Sequence, residues 1–121
     1  FRVVELNEDL MKTESGQQLN VIHENKFQEK AHEVKGALKV IEENGKIILR
    51  FEDFESINGP NLHVWLSKDL EGKDYYDLGP LKGTKGNFNY EIPSNVNIKD
   101  YKYVLLWCVP FRVLFSFATL F

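Results

Sequence analysis

Sulfur is nearly absent from this chain. One cysteine, Cys108, and one methionine are its whole supply among 121 residues. A single thiol closes no intramolecular disulfide, so the fold must stand on its packed core. That economy suits the cytosol and equally suits an extracellular domain that dispenses with disulfides. No apolar run is long enough to cross a bilayer. Charge of one sign is scarce too: 15 Lys and Arg stand against 18 Asp and Glu, well mixed along the chain. The net charge of -3 recommends neither nucleic acid nor an anionic membrane surface as a partner. No sustained helical period, internal repeat, Cys-x-x-Cys or Walker spacing is present, and no Ser-His-Asp order or pair of acid/base carboxylates stands out. These absences leave no hydrolase or transferase signature.

What is present has a β texture. Residues 1–30 form a polar lead segment or spacer, with Val3, Val4, Leu6, Leu19, Val21 and Ile22 as its only apolar knots. It reads either as a surface-hugging spacer or as an extra strand or short helix packed on the domain. The chain begins at Phe1 rather than Met, from which we expect a processed product whose signal peptide or lipid anchor lies upstream. Residues 31–121 form the domain proper. Asn44-Gly45 between two alternating runs is a hairpin signal, because both turn positions need positive φ. In the second run Ile47, Leu49 and Phe51 share a face opposite Ile48, Arg50 and Glu52. Further strands are expected at Asn61–Asp69, Tyr75–Leu78, Phe88–Ile92, Lys102–Cys108 and Arg112–Leu120. Turn chemistry at near-regular spacing predicts an all-β fold, an antiparallel β-sandwich of about seven or eight strands, with an open barrel as the alternative. The last stretch places Phe111, Val113, Phe115, Phe117 and Phe121 on one side, as a central core strand or an exposed edge that could pair with a second chain as a homodimer.

Cys108 is the residue of chemical interest. Alternation puts Val104, Leu106 and Cys108 on one face of their strand and Tyr103, Leu105 and Trp107 on the other. An apolar face argues for burial, and free cysteine is among the most buried residue types. The thiol also sits at a strand end, just before Val109-Pro110, where it could reach a sheet rim. A reachable lone thiol can cycle through sulfenic acid, pair with a thiol of another protein, or ligate a metal or haem iron. His23, His32 and His63 have no metal-ligand spacing, so a site joining Cys108 with His32 or His63 would have to be assembled by the fold. Trp65, Tyr75, Tyr76, Tyr90, Tyr101, Tyr103 and Trp107 read first as core or cross-strand pairs, and otherwise as a platform for sugar or haem or a conduit for electrons. Gly79, Gly83 and Gly86 lack a following helix and serve turns rather than phosphate. Asp53, Glu55, Asp69, Glu71, Asp74 and Asp77 gather near loops without an EF-type pattern.

Three segments in order resemble the DM-thirteen domain, a small β-domain family related to the DOMON domains. They are Gly59-Pro60-Asn61-Leu62, Leu78-Gly79-Pro80-Leu81-Lys82-Gly83, and Trp107-Cys108 followed by Phe111-Arg112-Val113-Leu114-Phe115. The resemblance covers roughly Ala31 to Phe121. It implies a β-sandwich, an extracytoplasmic or cell-surface setting, and electron transfer with Cys108 as the redox group. His32 matches a histidine often seen at the start of that domain. Where the family often has Gly-His after the last aromatic, this chain has Ser116-Phe117.

The expectation is therefore a redox or electron-transfer accessory domain rather than a classical enzyme. Cys108 is its candidate redox thiol, Trp107, Pro110 and Phe111 shape its pocket, and His32 and His63 are candidate metal ligands. A redox partner protein is implied, with haem or a metal ion as candidate cofactor. The competing expectation is a non-catalytic binding or adhesion module for protein, sugar or metal, in which Cys108 only packs.

Overall fold

Asn44 and Gly45 take φ of 50° and 81°, the double left-handed turn whose twist matches flanking strands. They join β4 (Val34–Glu43) to β5 (Lys46–Ser56), the longest hairpin of the molecule. The computed structural model describes residues 2–10 and 20–121, so the apolar knot at Leu19 lies outside the described residues. The other strands are β1 (Glu5–Asn7), β2 (Asn20–Lys26), β3 (Gln28–Glu29), β6 (Leu62–Ser67), β7 (Tyr75–Pro80), β8 (Lys85–Glu91), β9 (Tyr103–Cys108) and β10 (Val113–Thr119). A 3-10 turn spans Ile98–Asp100. No helix among the described residues is long and apolar enough to cross a membrane.

Two five-stranded sheets result, ordered β1-β8-β5-β4-β2 and β3-β10-β9-β6-β7. All neighbours are antiparallel except β1, which runs parallel to β8. The sandwich is thus confirmed, with its strand count raised by pieces of the lead segment. β1 and β2 occupy the two edges of the first sheet, and β3 occupies an edge of the second.

Period-two alternation fills the space between the sheets. Leu49 and Phe51 of β5 meet Leu62, Val64 and Leu66 of β6 and Val104, Leu106 and Cys108 of β9 in one apolar cluster. Phe51 is its hub, with ring centroids 5.0 Å from Phe27, 5.2 Å from Phe54, 5.0 Å from Phe88 and 5.3 Å from Tyr90. Removing each such ring from water contributes about 1.5–3 kcal/mol. A second, smaller cluster of Trp65, Leu105, Trp107 and Leu114 forms on the outer face of the second sheet.

The last strand departs from simple alternation. A bulge between Leu114 and Ser116 inserts one residue and resets the facing of those after it. Phe115 therefore enters the inter-sheet core, while Phe117 joins the outer cluster. Phe111 and Phe121 are exposed at either end of the strand. One side of β10 pairs with β9. The other is covered by β3 and by the backbone N–H groups of Lys30 and His32, which donate to the Phe115 carbonyl at 3.2 and 3.1 Å.

Candidate functional site

Cys108 ends β9, in register with Leu62 of β6 and Val113 of β10. Its side chain turns between the sheets and is 0% exposed. The Sγ–H donates to the Pro60 carbonyl at 3.3 Å, tying the thiol to the loop before β6. The strand-end position expected from the sequence is present. The thiol there points into the core beneath that loop.

Trp107, one residue earlier, faces the opposite side of the sheet, so the two side chains do not share a pocket. Phe111 stands at the tip of the β9–β10 turn, 69% exposed. Arg112 beside it has a φ of 53°. His32 packs its ring on Phe115, centroids 4.1 Å apart. His63 lies opposite Trp107 in the β6–β9 register, and its Nδ1 is 2.9 Å from an Asp77 carboxylate oxygen. A carboxylate only accepts, so Nδ1 carries the hydrogen. The His63 Nε2 faces the Asn61 side-chain amide at 2.9 Å, and the Gly79 N–H holds Asp77 in place at 2.7 Å. Both ring nitrogens of His63 are thus engaged by protein. Among the described residues no group of three or more His, Cys, Asp or Glu side chains is placed to hold a metal ion.

The structure does assemble a stack of aromatic rings on the outer face of the second sheet. Tyr75, Trp65 and Trp107 come from three adjacent strands, β7, β6 and β9. Outward side chains on neighbouring strands meet along the diagonal of the pleat. The Tyr75 and Trp65 rings are parallel within 6° at 3.6 Å, and Trp65 and Trp107 within 16° at 4.9 Å. Tyr75 is 44% exposed, whereas Trp65 and Trp107 are 6% and 8% exposed. The row therefore runs from solvent into an apolar shelter. The buried Trp65 Nε1–H has no hydrogen-bond partner among the described residues.

The loop between β6 and β7 closes the inner end of the row. At Gly72, φ is 70° and a Cβ would come within 2.8 Å of the Trp107 ring. Only glycine lets this loop lie on the indole. Asp69 folds the loop into that shape: its carboxylate accepts from the backbone N–H groups of Glu71, Asp74 and Lys73 at 2.8, 3.0 and 3.1 Å. Desolvation pushes the Asp69 carboxyl up, but the amides of Lys73, Glu71, Asp74 and Gly72 outweigh it and hold it below its ordinary range. A lowered carboxylate stabilises the folded loop above the unfolded value of about 4 and loses that contribution as pH falls through the folded value. We therefore expect Trp107 to stay shielded from a neutral quencher such as acrylamide from neutral pH down to mild acid, and to become quenchable on further acidification. Asp69→Ala should show the open behaviour already at pH 7. Identical quenching of variant and wild type would remove Asp69 as the fastener.

Sequence reasoning named the individual rings but not their assembly, which depends on strand order. The Asp69 knot had a local signal, an aspartate three residues before a glycine in a short charged turn. The His63–Asp77 pair had none, because β6 and β7 must align before the two meet.

Searches among curated proteins and among solved structures find no match. The family described as Electron transfer DM13 matches residues 26–120, a span that holds β3 to β10, the thiol and the whole aromatic row, and the chain belongs to that family.

Proposed function

We propose that this chain is an electron-transfer accessory domain working outside the cytoplasm, and that the Tyr75–Trp65–Trp107 row is its electrical port. The observation that carries this reading is three redox-capable rings in parallel contact, open to a partner at Tyr75 and sheltered at Trp107. The family description supports the passage of electrons. The setting follows the family resemblance, and a single, fully buried thiol is compatible with it.

In this reading a docked strong one-electron oxidant, by class a ferryl haem, takes one electron from the facing ring and is reduced by one. The vacancy passes inward, and a reduced partner returns the electron. Tyr75 can lose its phenolic proton to water as it is oxidised. Among the described residues Trp65 Nε1–H has no acceptor, so its oxidised ring keeps its proton and remains a strong oxidant that draws an electron back.

Cys108 supplies a second reading, the thiol as redox group. Its favouring observation is that only the β9 backbone separates it from Trp107. Sulfenic acid, mixed disulfide and metal ligation all need contact with the sulfur, so this reading requires the Pro60 loop to lift.

Flash photo-oxidation with a soluble ruthenium complex tests the port. Transient absorption and spin resonance should report tyrosyl and tryptophanyl radicals in the wild type. Trp65→Leu and Tyr75→Leu should cut the yield several-fold while circular dichroism stays native. An unchanged yield in the double variant would sink the port.

A further inference from the structure

The side of β8 turned away from β5 receives residues 2–9 with a completeness that a passing contact does not need. Three residues of β1 pair with it in parallel, Glu5 with Lys85, Leu6 with Gly86 and Asn7 with Asn87. The Val4 N–H donates to Thr84 Oγ1 at 2.8 Å, and the Val4 carbonyl accepts from the Thr84 N–H at 2.7 Å. The Glu8 N–H donates to the Asn87 carbonyl at 2.7 Å. At Gly86, φ is 127° and any Cβ would overlap the Leu6 carbonyl oxygen. A Cβ at Gly83 would press on the Leu6 side chain at 3.0 Å. Leu6 itself packs on the edge of the inter-sheet core.

The end of the segment is gripped by charge. One Glu8 carboxylate oxygen accepts from Lys82 Nζ at 2.6 Å and from the Asn89 N–H at 2.9 Å. The Glu8 carbonyl accepts from Arg50 Nη1 at 2.5 Å, and Asn89 Nδ2 donates to the Asp9 carbonyl at 3.2 Å. The Lys82 hydrogen bond, then the Asn89 N–H, hold the Glu8 carboxyl below its ordinary range. Charge-assisted bonds of this kind are the strong and specific ones.

Host and guest differ in one further respect. Arg50, Lys82, Thr84, Gly86, Asn87 and Asn89 all lie inside the matched span of 26–120, while residues 2–9 lie outside it. The domain carries the cradle, and the strand that fills it comes from beyond the domain.

We propose that the outer side of β8 is a strand-binding site for an extended segment bearing an apolar residue at the Leu6 place and a carboxylate at the Glu8 place. Residues 2–9 occupy it in cis, and a partner protein presenting a segment of this pattern adds to the same edge in parallel. Main-chain bonds would supply affinity and the side-chain places specificity, the logic of β-strand addition. The tethered occupant has a high effective concentration and gates the site. With three register pairs against the nine that join β4 to β5, it can open locally without the rest of the sheet. This proposal is independent of the aromatic port.

The test uses the full chain carrying Leu6→Asp and Glu8→Ala, which loosens the cis strand. The probe is a synthetic peptide of residues 2–9, Arg-Val-Val-Glu-Leu-Asn-Glu-Asp. We expect saturable binding, read as amide shift changes at Thr84, Lys85, Asn87 and Asn89. The same peptide with Gln at the Glu8 place should bind about tenfold more weakly. No saturation at millimolar peptide, or equal affinity for a scrambled peptide, would overturn the proposal. If the double variant does not fold, amide hydrogen exchange on the wild type decides. Thr84 and Lys85 exchanging faster than the β4–β5 ladder supports a detachable strand. Equal protection of both, meaning the edge opens only when the whole fold does, refutes it.

Discussion

Native Cys108 is expected to react with a small disulfide reagent at least about 10³ times more slowly than the same thiol in strong urea. The sulfur exposes no surface, sits in register between Leu62 and Val113, and spends its hydrogen on the Pro60 carbonyl. Attack on a disulfide needs the thiolate in contact with the reagent, so labelling must wait for an opening. Two openings are available and give different signatures. If only the Pro60 loop lifts, little surface is exposed, and the rate stays flat at low urea. If the sheets must part, the rate climbs with urea along the global unfolding slope. We expect the second pattern, because Cys108 belongs to the same inter-sheet cluster as Phe51 and Leu106. Rapid labelling at neutral pH without denaturant would reverse the assignment, making the thiol the redox group and the aromatic row an accessory.

Cys108 and Trp107 show what the sequence could carry. Strict alternation from Tyr103 to Cys108 assigned both faces of β9, and the inter-sheet and outer clusters follow that division residue for residue. The Asn44-Gly45 hairpin was equally legible, since its geometry is a two-residue matter. β10 was not. Its bulge after Leu114 is set by pairing with β9, which no local pattern in Phe111 to Phe121 encodes, so one flipped residue undid the assignment of Phe117. The lead segment hid its strands for another reason. β1 and β2 are edge strands with mostly exposed residues, and an edge needs little apolar alternation because main-chain bonds do much of the fastening. The site divides in the same way. The redox-capable residues could be named from composition, but the row of Tyr75, Trp65 and Trp107 exists only once β7, β6 and β9 lie side by side.

Phe51→Ala should cost about 3–5 kcal/mol, the range for emptying a buried aromatic site. Phe51 is 0% exposed and its ring contacts Phe27, Phe54, Phe88 and Tyr90. These rings are held by strands on both sides and cannot all collapse into the space it leaves. For a domain of this size that loss corresponds to a drop of about 10–20 °C in Tm, measured by circular dichroism or calorimetry. Phe111→Ala is the control: the same deletion at a 69% exposed turn position should change stability by no more than about 0.5 kcal/mol. The pair also bears on the sulfur. If Cys108 labels only through global opening, every 1.4 kcal/mol lost raises its native labelling rate about tenfold. Phe51→Ala should then accelerate it by about two to three and a half orders of magnitude, while Phe111→Ala changes it by no more than about twofold. Should Phe51→Ala melt early yet label Cys108 at the wild-type rate, the thiol has a private route to water through the Pro60 loop, and a redox role for it would regain its physical basis.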